Sequence, residues 1–295
     1  MTSTWTRGRR IGASVIAAAS LAAIAVVVPV QMGFASSNSS PAPHGAPSGG
    51  KPTIVLVHGA WADGSSFAPE TAALQRDGYK VLVAPNPLRG VASDAAVLSA
   101  FLAQKTSGPV VLVGHSYGGA VISAAATGNA NVKALVYIDA YAPDQGESTQ
   151  DLTNAKPGSL LNVDPTTVFD FVLPTPDAGQ GDWDAYIKTD HFKAVFAASL
   201  PTATTDALAA AQSPVTLGAL ATPFAGTPAW KTIPSYFFIG TEDKLLPPAE
   251  QLFMANRAHG KITQGRAPHL AMLADPTQVT GVILDAARSC QHGGR

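Results

Sequence analysis

The chain has 295 residues, of which 46% are hydrophobic and 13% charged, with a formal net charge of −1. That is enough apolar material for one or two domains with a large core, and it excludes a disordered polar chain. The near-zero charge offers no clustered Lys and Arg for a phosphate backbone, so nucleic acid is excluded as a partner.

At the N-terminus, Arg7, Arg9 and Arg10 precede an apolar run over residues 11–30, and Gly33-Phe34-Ala35 supplies small residues at the spacing a signal peptidase accepts. Residues 1–35 read as a signal peptide, and the protein as secreted, with no membrane association after cleavage. About 20 apolar residues also suffice to span a bilayer, so an uncleaved anchor stays open. Residues 36–50, rich in Ser, Pro, Gly and Ala, read as a disordered linker. Cys290 is the sole cysteine, which rules out an intramolecular disulfide and leaves stability to the core.

From Lys51 onward short apolar runs alternate with helical spacing. Residues 53–57 predict a strand that ends in His58-Gly59-Ala60-Trp61, followed by a helix over 66–76, a strand over 79–84 and a helix over 92–104. Residues 110–113 predict a buried strand, and 134–138 another. The alternation specifies an α/β fold, a doubly wound, mainly parallel sheet covered on both faces. Over 143–232 the rhythm fails: prolines are frequent, no run resembles a buried strand, and helices are predicted over 182–200 and 202–212. This stretch reads as an inserted, mostly helical cap, because a structureless loop of that length is improbable in a compact domain. Strands over 235–239 and 261–264, with helices over 248–258 and 276–289, then complete the core, which comprises residues 51–142 and 233–290.

The strand at 110–113 runs into Gly114-His115-Ser116-Tyr117-Gly118-Gly119 and continues as an alanine-rich helix. A Gly-x-Ser-x-Gly pentapeptide means little alone, but between a strand and a helix it is a nucleophile elbow, with Ser116 on a strained turn. A serine hydroxyl attacks only when a base takes its proton. Reactive groups of an open parallel sheet gather beyond the C-terminal strand ends, and His269 follows the last strand, whereas His58 and His115 are better read as packing or loop-fixing residues. The acid should lie between serine and histidine after a strand; Asp243 in Gly240-Thr241-Glu242-Asp243 meets that condition, with Glu242 and Asp139 as rivals. Donors for a developing oxyanion are available in the backbone N–H groups of Ala60 and Tyr117. No metal-ligand spacing and no Gly-rich phosphate motif appears, so no cofactor is expected.

With these residues in this order the chain resembles the α/β-hydrolase family over nearly everything after Lys51. It resembles more narrowly the bacterial relatives of the plant group of methyl-ester esterases and hydroxynitrile lyases. In that group the lyases carry threonine in place of the glycine of His-Gly and lysine after the catalytic histidine; Gly59 and Leu270 follow the esterase pattern. The resemblance implies a serine carboxylic-ester hydrolase acting through Ser116, His269 and Asp243 on a small, apolar ester. A non-hydrolytic lyase-type enzyme on the same scaffold, an amidase or peptidase, and a catalytically silent ligand-binding protein stay open as alternatives. The oligomeric state is not specified.

Overall fold

A computed structural model describes residues 50–292, so the expected signal peptide and nearly all of the expected linker lie outside the described residues. The strands in chain order are β1 (Thr53–Val57), β2 (Val81–Ala84), β3 (Val110–His115), β4 (Val132–Ile138), β5 (Phe169–Val172), β6 (Asp184–Ile187), β7 (Val215–Thr216), β8 (Ser235–Gly240) and β9 (Lys261–Gly265). Six of them form one sheet in the order β2-β1-β3-β4-β8-β9, every pair parallel. All residues of β1 and β3 are buried, as unbroken apolar runs require when both faces of a parallel sheet are covered.

Chain direction explains the two layers. The crossover from β1 to β2 moves one way across the sheet and that from β2 to β3 the other. Right-handed connections therefore send helix Ala68–Arg76 to one face and helices Val91–Lys105 and Tyr117–Ala125 to the opposite one. The packing agrees: Val91–Lys105 lies against Tyr117–Ala125, and Ala68–Arg76 lies against the closing helix Pro276–His292. The in-register pairs Val57↔Gly114, His115↔Ile138, Ile138↔Phe238 and Gly240↔Gly265 align the C-terminal ends of β1, β3, β4, β8 and β9 along one edge.

The segment between β4 and β8 carries helices Thr149–Asn154, Pro165–Val168, Thr189–Phe196, Thr202–Ala211 and Leu217–Ala221 joined by long irregular stretches. Two expectations are corrected here. The segment contains the antiparallel sheet β5-β6-β7, although no strand was predicted in it, and the helix expected over 182–200 is in fact β6 followed by a shorter helix starting at Thr189. Residues 184–187 alternate half-buried and buried, with Ala185 and Ile187 inward, which is the period of a strand. The Gln212 side chain also holds β6 at its end: Ile187 N–H donates to Gln212 Oε1 at 2.9 Å and Gln212 Nε2 donates to Ile187 O at 2.9 Å. That partner lies 25 residues away and has no local signature.

Candidate active site

Ser116 stands between β3 and helix Tyr117–Ala125 with φ 51° and ψ −125°, a left-handed backbone that costs a non-glycine residue free energy and marks a functional constraint. The elbow is tight because the helix start crosses the end of β1. A Cβ on Gly118 would lie 2.5 Å from the Val57 carbonyl oxygen, and one on Gly114 would lie 2.7 Å from the Gly118 backbone. The turn is fixed by Ser116 N–H donating to Ile138 O at 3.2 Å and by Gly119 N–H and Tyr141 N–H donating to Ser116 O.

His269 arrives on the loop after β9. Its Nδ1 lies 2.8 Å from Asp243 Oδ2 and its Nε2 lies 2.8 Å from Ser116 Oγ. A carboxylate oxygen only accepts, so Nδ1 carries the proton and Nε2 is left to accept that of the serine hydroxyl. Asp243, in the loop after β8, also accepts from Leu245 N–H at 2.8 Å, Leu246 N–H at 3.0 Å and Gln251 Nε2 at 2.8 Å. Ser116, His269 and Asp243 are all buried, in surroundings where hydrogen bonds to charge gain strength.

The rivals for the acid position go elsewhere. Glu242 turns outward to pair with Arg266 at 2.5 Å. Asp139, at the end of β4, accepts from Gly240 N–H at 2.6 Å while its Oδ2 has no hydrogen-bond partner. Burial, reinforced by the charge of Asp243, pushes the Asp139 carboxyl well above the usual range. His115 and His58 do the loop-fixing work expected of them. His115 Nε2 donates to the His269 carbonyl at 2.9 Å, and its burial and the neighbouring His269 push its pKa well down and keep it neutral. His58 Nδ1 lies 3.0 Å from Gly59 O, and burial lowers its pKa too.

The backbone N–H groups of Ala60 and Tyr117 sit on residues that are 1% exposed, and neither has an acceptor among the described residues. Buried amides are normally paired, so these two donors, one on the residue after Ser116 and one on the residue after Gly59, whose backbone packs against Ser116, are free to take an incoming acceptor.

The sequence match to the alpha/beta hydrolase family model runs over residues 54–282, from β1 into the closing helix, and includes Ser116, Asp243 and His269. The chain belongs to the alpha/beta hydrolase family. This hydrolase is 36% identical over 112 residues to a carbendazim-hydrolyzing esterase of Nocardioides sp. (strain SG-4G), a match that covers 34% of this chain and 46% of that enzyme; it thus spans about half the length of that relative. It is 27% identical over 267 residues to the alpha/beta hydrolase nvfD of Aspergillus novofumigatus (strain IBT 16806), covering 80% of this chain and 97% of that one. Its fold is shared with polyneuridine aldehyde esterase at a TM-score of 0.66 and 19% identity, over 80% of this chain and 99% of that one.

Around the site the hydrolase is enclosed by its inserted segment. Phe196 lies tilted over the His269 ring at 5.2 Å, and Phe169 stacks on Trp61 at 5.4 Å. A cavity of about 480 Å³ opens beside Trp61 and Phe169; its lining mixes apolar side chains such as Leu161 and Leu217 with the polar Gln150, Asn154 and Gln180, has no charged residue, and does not include Ser116 or His269. Phe169 thus faces the cavity, whereas Phe192 packs on Phe196 and Phe171 packs near Trp183 within the segment itself. Gln251, which donates to Asp243, and Tyr141, whose N–H donates to Ser116 O, carry no signal in the sequence, because only the assembled loops bring them to those residues.

Proposed function

We propose that this protein is a serine hydrolase that cleaves carboxylic esters of small, uncharged, largely apolar substrates through an acyl-enzyme. The observation that carries the reading is the unbroken chain of hydrogen bonds Asp243–His269–Ser116 beside two buried amides without acceptors. Ser116 Oγ attacks the ester carbonyl carbon as His269 Nε2 takes its proton, and Asp243 holds the imidazole in the tautomer this requires. The carbonyl oxygen becomes an oxyanion facing the amides of Ala60 and Tyr117. Collapse expels the alcohol, which receives the proton from His269. Water then attacks the acyl-enzyme with His269 again as base, releasing the acid and restoring Ser116.

Ester cleavage is the activity in the names of the carbendazim-hydrolyzing esterase and polyneuridine aldehyde esterase, which adds weight to this reading over an amidase or peptidase. A lyase reading is disfavoured by two positions. A Cβ at Gly59 would lie 2.6 Å from Ser116 Cβ, so the threonine of the lyases has no room there, and Leu270 puts a buried apolar side chain where they carry a cation. The uncharged cavity beside Trp61 suits a neutral acyl or alcohol group, since a buried unpaired charge is strongly disfavoured. We also propose export: the arginines and apolar run of residues 1–35 are its support, and no helix among the described residues is long and apolar enough to cross a membrane.

The test is turnover of p-nitrophenyl esters with neutral acyl chains of increasing length, alongside an ester whose acyl chain ends in a carboxylate, and of mandelonitrile. Turnover of neutral esters, weak turnover of the charged one and no enzyme-dependent cyanide are expected. A wild type inert on every ester, or cyanide release as fast as ester cleavage, overturns the reading.

A further inference from the structure

The two amides that face the oxyanion are held from the same place, and that place is the inserted segment. On the first side, Trp61, the neighbour of Ala60, donates its backbone N–H to Ser213 O at 2.8 Å and its indole Nε1–H to Ala185 O at 2.9 Å. Ala185 lies in β6 and Ser213 just before β7, and Ala185 pairs with Val215 across the two strands. Trp61 itself has φ 56°, a left-handed backbone that a bulky residue adopts only where its surroundings enforce it.

On the second side, the Tyr117 hydroxyl donates to Asp94 Oδ2 at 2.9 Å. Asp94 is 1% exposed and has no ion pair; its remaining partners are the N–H of Arg89 at 3.1 and 3.2 Å and that of Gly90 at 3.2 Å. Burial and the Asp94 carboxylate both push the Tyr117 pKa far up, so its hydroxyl keeps its proton and remains the donor. The Leu88–Arg89 backbone that supplies Asp94 is tied to the same β6–β7 ribbon. Thr216 N–H donates to Leu88 O at 3.2 Å, the Arg89 guanidinium pairs with Asp184 at 2.5 Å, and Arg89 Nη2 donates to Pro214 O at 3.3 Å. A carboxylate whose only task was to cap helix Val91–Lys105 would have no need of the tyrosine that opens the next helix.

We propose that the β6–β7 ribbon sets the oxyanion hole, with Trp61 positioning the Ala60 amide and the chain Asp184–Arg89–Asp94–Tyr117 positioning the Tyr117 amide. Trp61, Asp94 and the Tyr117 hydroxyl are on this account positioning groups, and docking of the ribbon completes the hole. The inference rests on the ester-hydrolase reading above. Its consequence is that atoms remote from the substrate are read in kcat and in affinity for a tetrahedral adduct, and leave ground-state binding alone.

The experiment compares wild type with Tyr117→Phe, which removes a single oxygen atom, with Asp94→Asn and with the double variant. Each is measured for kcat and KM on one neutral ester and for inhibition by an aryl boronic acid, whose adduct on Ser116 places an oxygen in the hole. Circular dichroism and the melting temperature report folding, and Asp184→Asn, on the half-exposed ribbon side, serves if Asp94→Asn does not fold. We expect kcat to fall roughly 10–100-fold in Tyr117→Phe, less than the ~10²–10³-fold of losing a donor outright. KM should change by less than about 2-fold, boronate affinity should weaken in parallel with kcat, and the double variant should be no worse than the poorer single one. Folded variants with a lowered melting temperature and unaltered kcat and boronate affinity would overturn the inference alone. Absence of ester turnover in the wild type would overturn it together with the hydrolase reading.

Discussion

Asp139 and Asp243 end neighbouring strands of one sheet, yet only Asp243 has the donors that a carboxylate needs. Four reach its oxygens, against one for Asp139, and only Asp243 is held in place by a partner that also contacts Ser116. Asp243→Asn should therefore keep the fold and lower kcat on a soluble ester by about 10²–10⁴-fold, because the imidazole loses its orienting charge and tautomer. Asp139 makes no hydrogen bond to His269 or Ser116, so Asp139→Asn should keep kcat within about 3-fold, by the same reading of kinetics as free energy. Glu242→Gln removes only a surface pair to an arginine that is 87% exposed, a contact worth little, and should change kcat less still. If Asp139→Asn is the most damaging of the three, the acid belongs after β4. At this scale Ser116 and His269 were legible in the sequence because a motif and a strand end mark them. The acid was narrowed to three candidates, since the direction of a side chain in a strand-end loop is fixed by partners such as Gln251 that lie outside the loop.

Helix Pro248–Arg257 is the element that fixes that loop. Gln251 Nε2 donates both to Asp243 Oδ2 at 2.8 Å and to Leu246 O at 2.9 Å, so one amide clamps the acid and the chain that carries it. Gln251→Leu keeps the volume and removes the donor; kcat should fall by roughly 3–30-fold, the scale of one hydrogen bond to a charged group, with KM little changed. An unaltered kcat would mean that the two loop amides suffice. The central strands of the parallel sheet were legible because β1, β3, β4 and β8 are apolar runs, whereas the edge strand β9 was marked only by its place before His269. The three-stranded sheet was not: β5 and β6 have four residues each and are partly exposed, and β7, though buried, has only two. Such strands exist because they pair with each other and with Gln212 and Trp61, contacts that propensity cannot supply.

Glu70 is a buried acid that the chemistry does not use. Glu70, on helix Ala68–Arg76, is 0% exposed and neither carboxylate oxygen has a partner; burial raises its pKa from 4.5 to about 8. The unfolded chain releases this proton near 4.5 and the folded one only near 8, so the contribution of Glu70 to stability is fully present below 4.5 and is lost as pH rises through that window. Glu70→Gln removes the titration, and its melting temperature should gain on that of the wild type between pH 6 and 9, by the equivalent of about 1–3 kcal/mol. A difference constant across that range would contradict this. The ester chemistry itself is tested most directly by mapping a fluorophosphonate adduct by mass spectrometry in wild type and Ser116→Ala. One adduct is expected, on Ser116, absent from the folded variant, together with a kcat about 10⁴-fold or more below wild type. An adduct or wild-type turnover that survives in Ser116→Ala would contradict it.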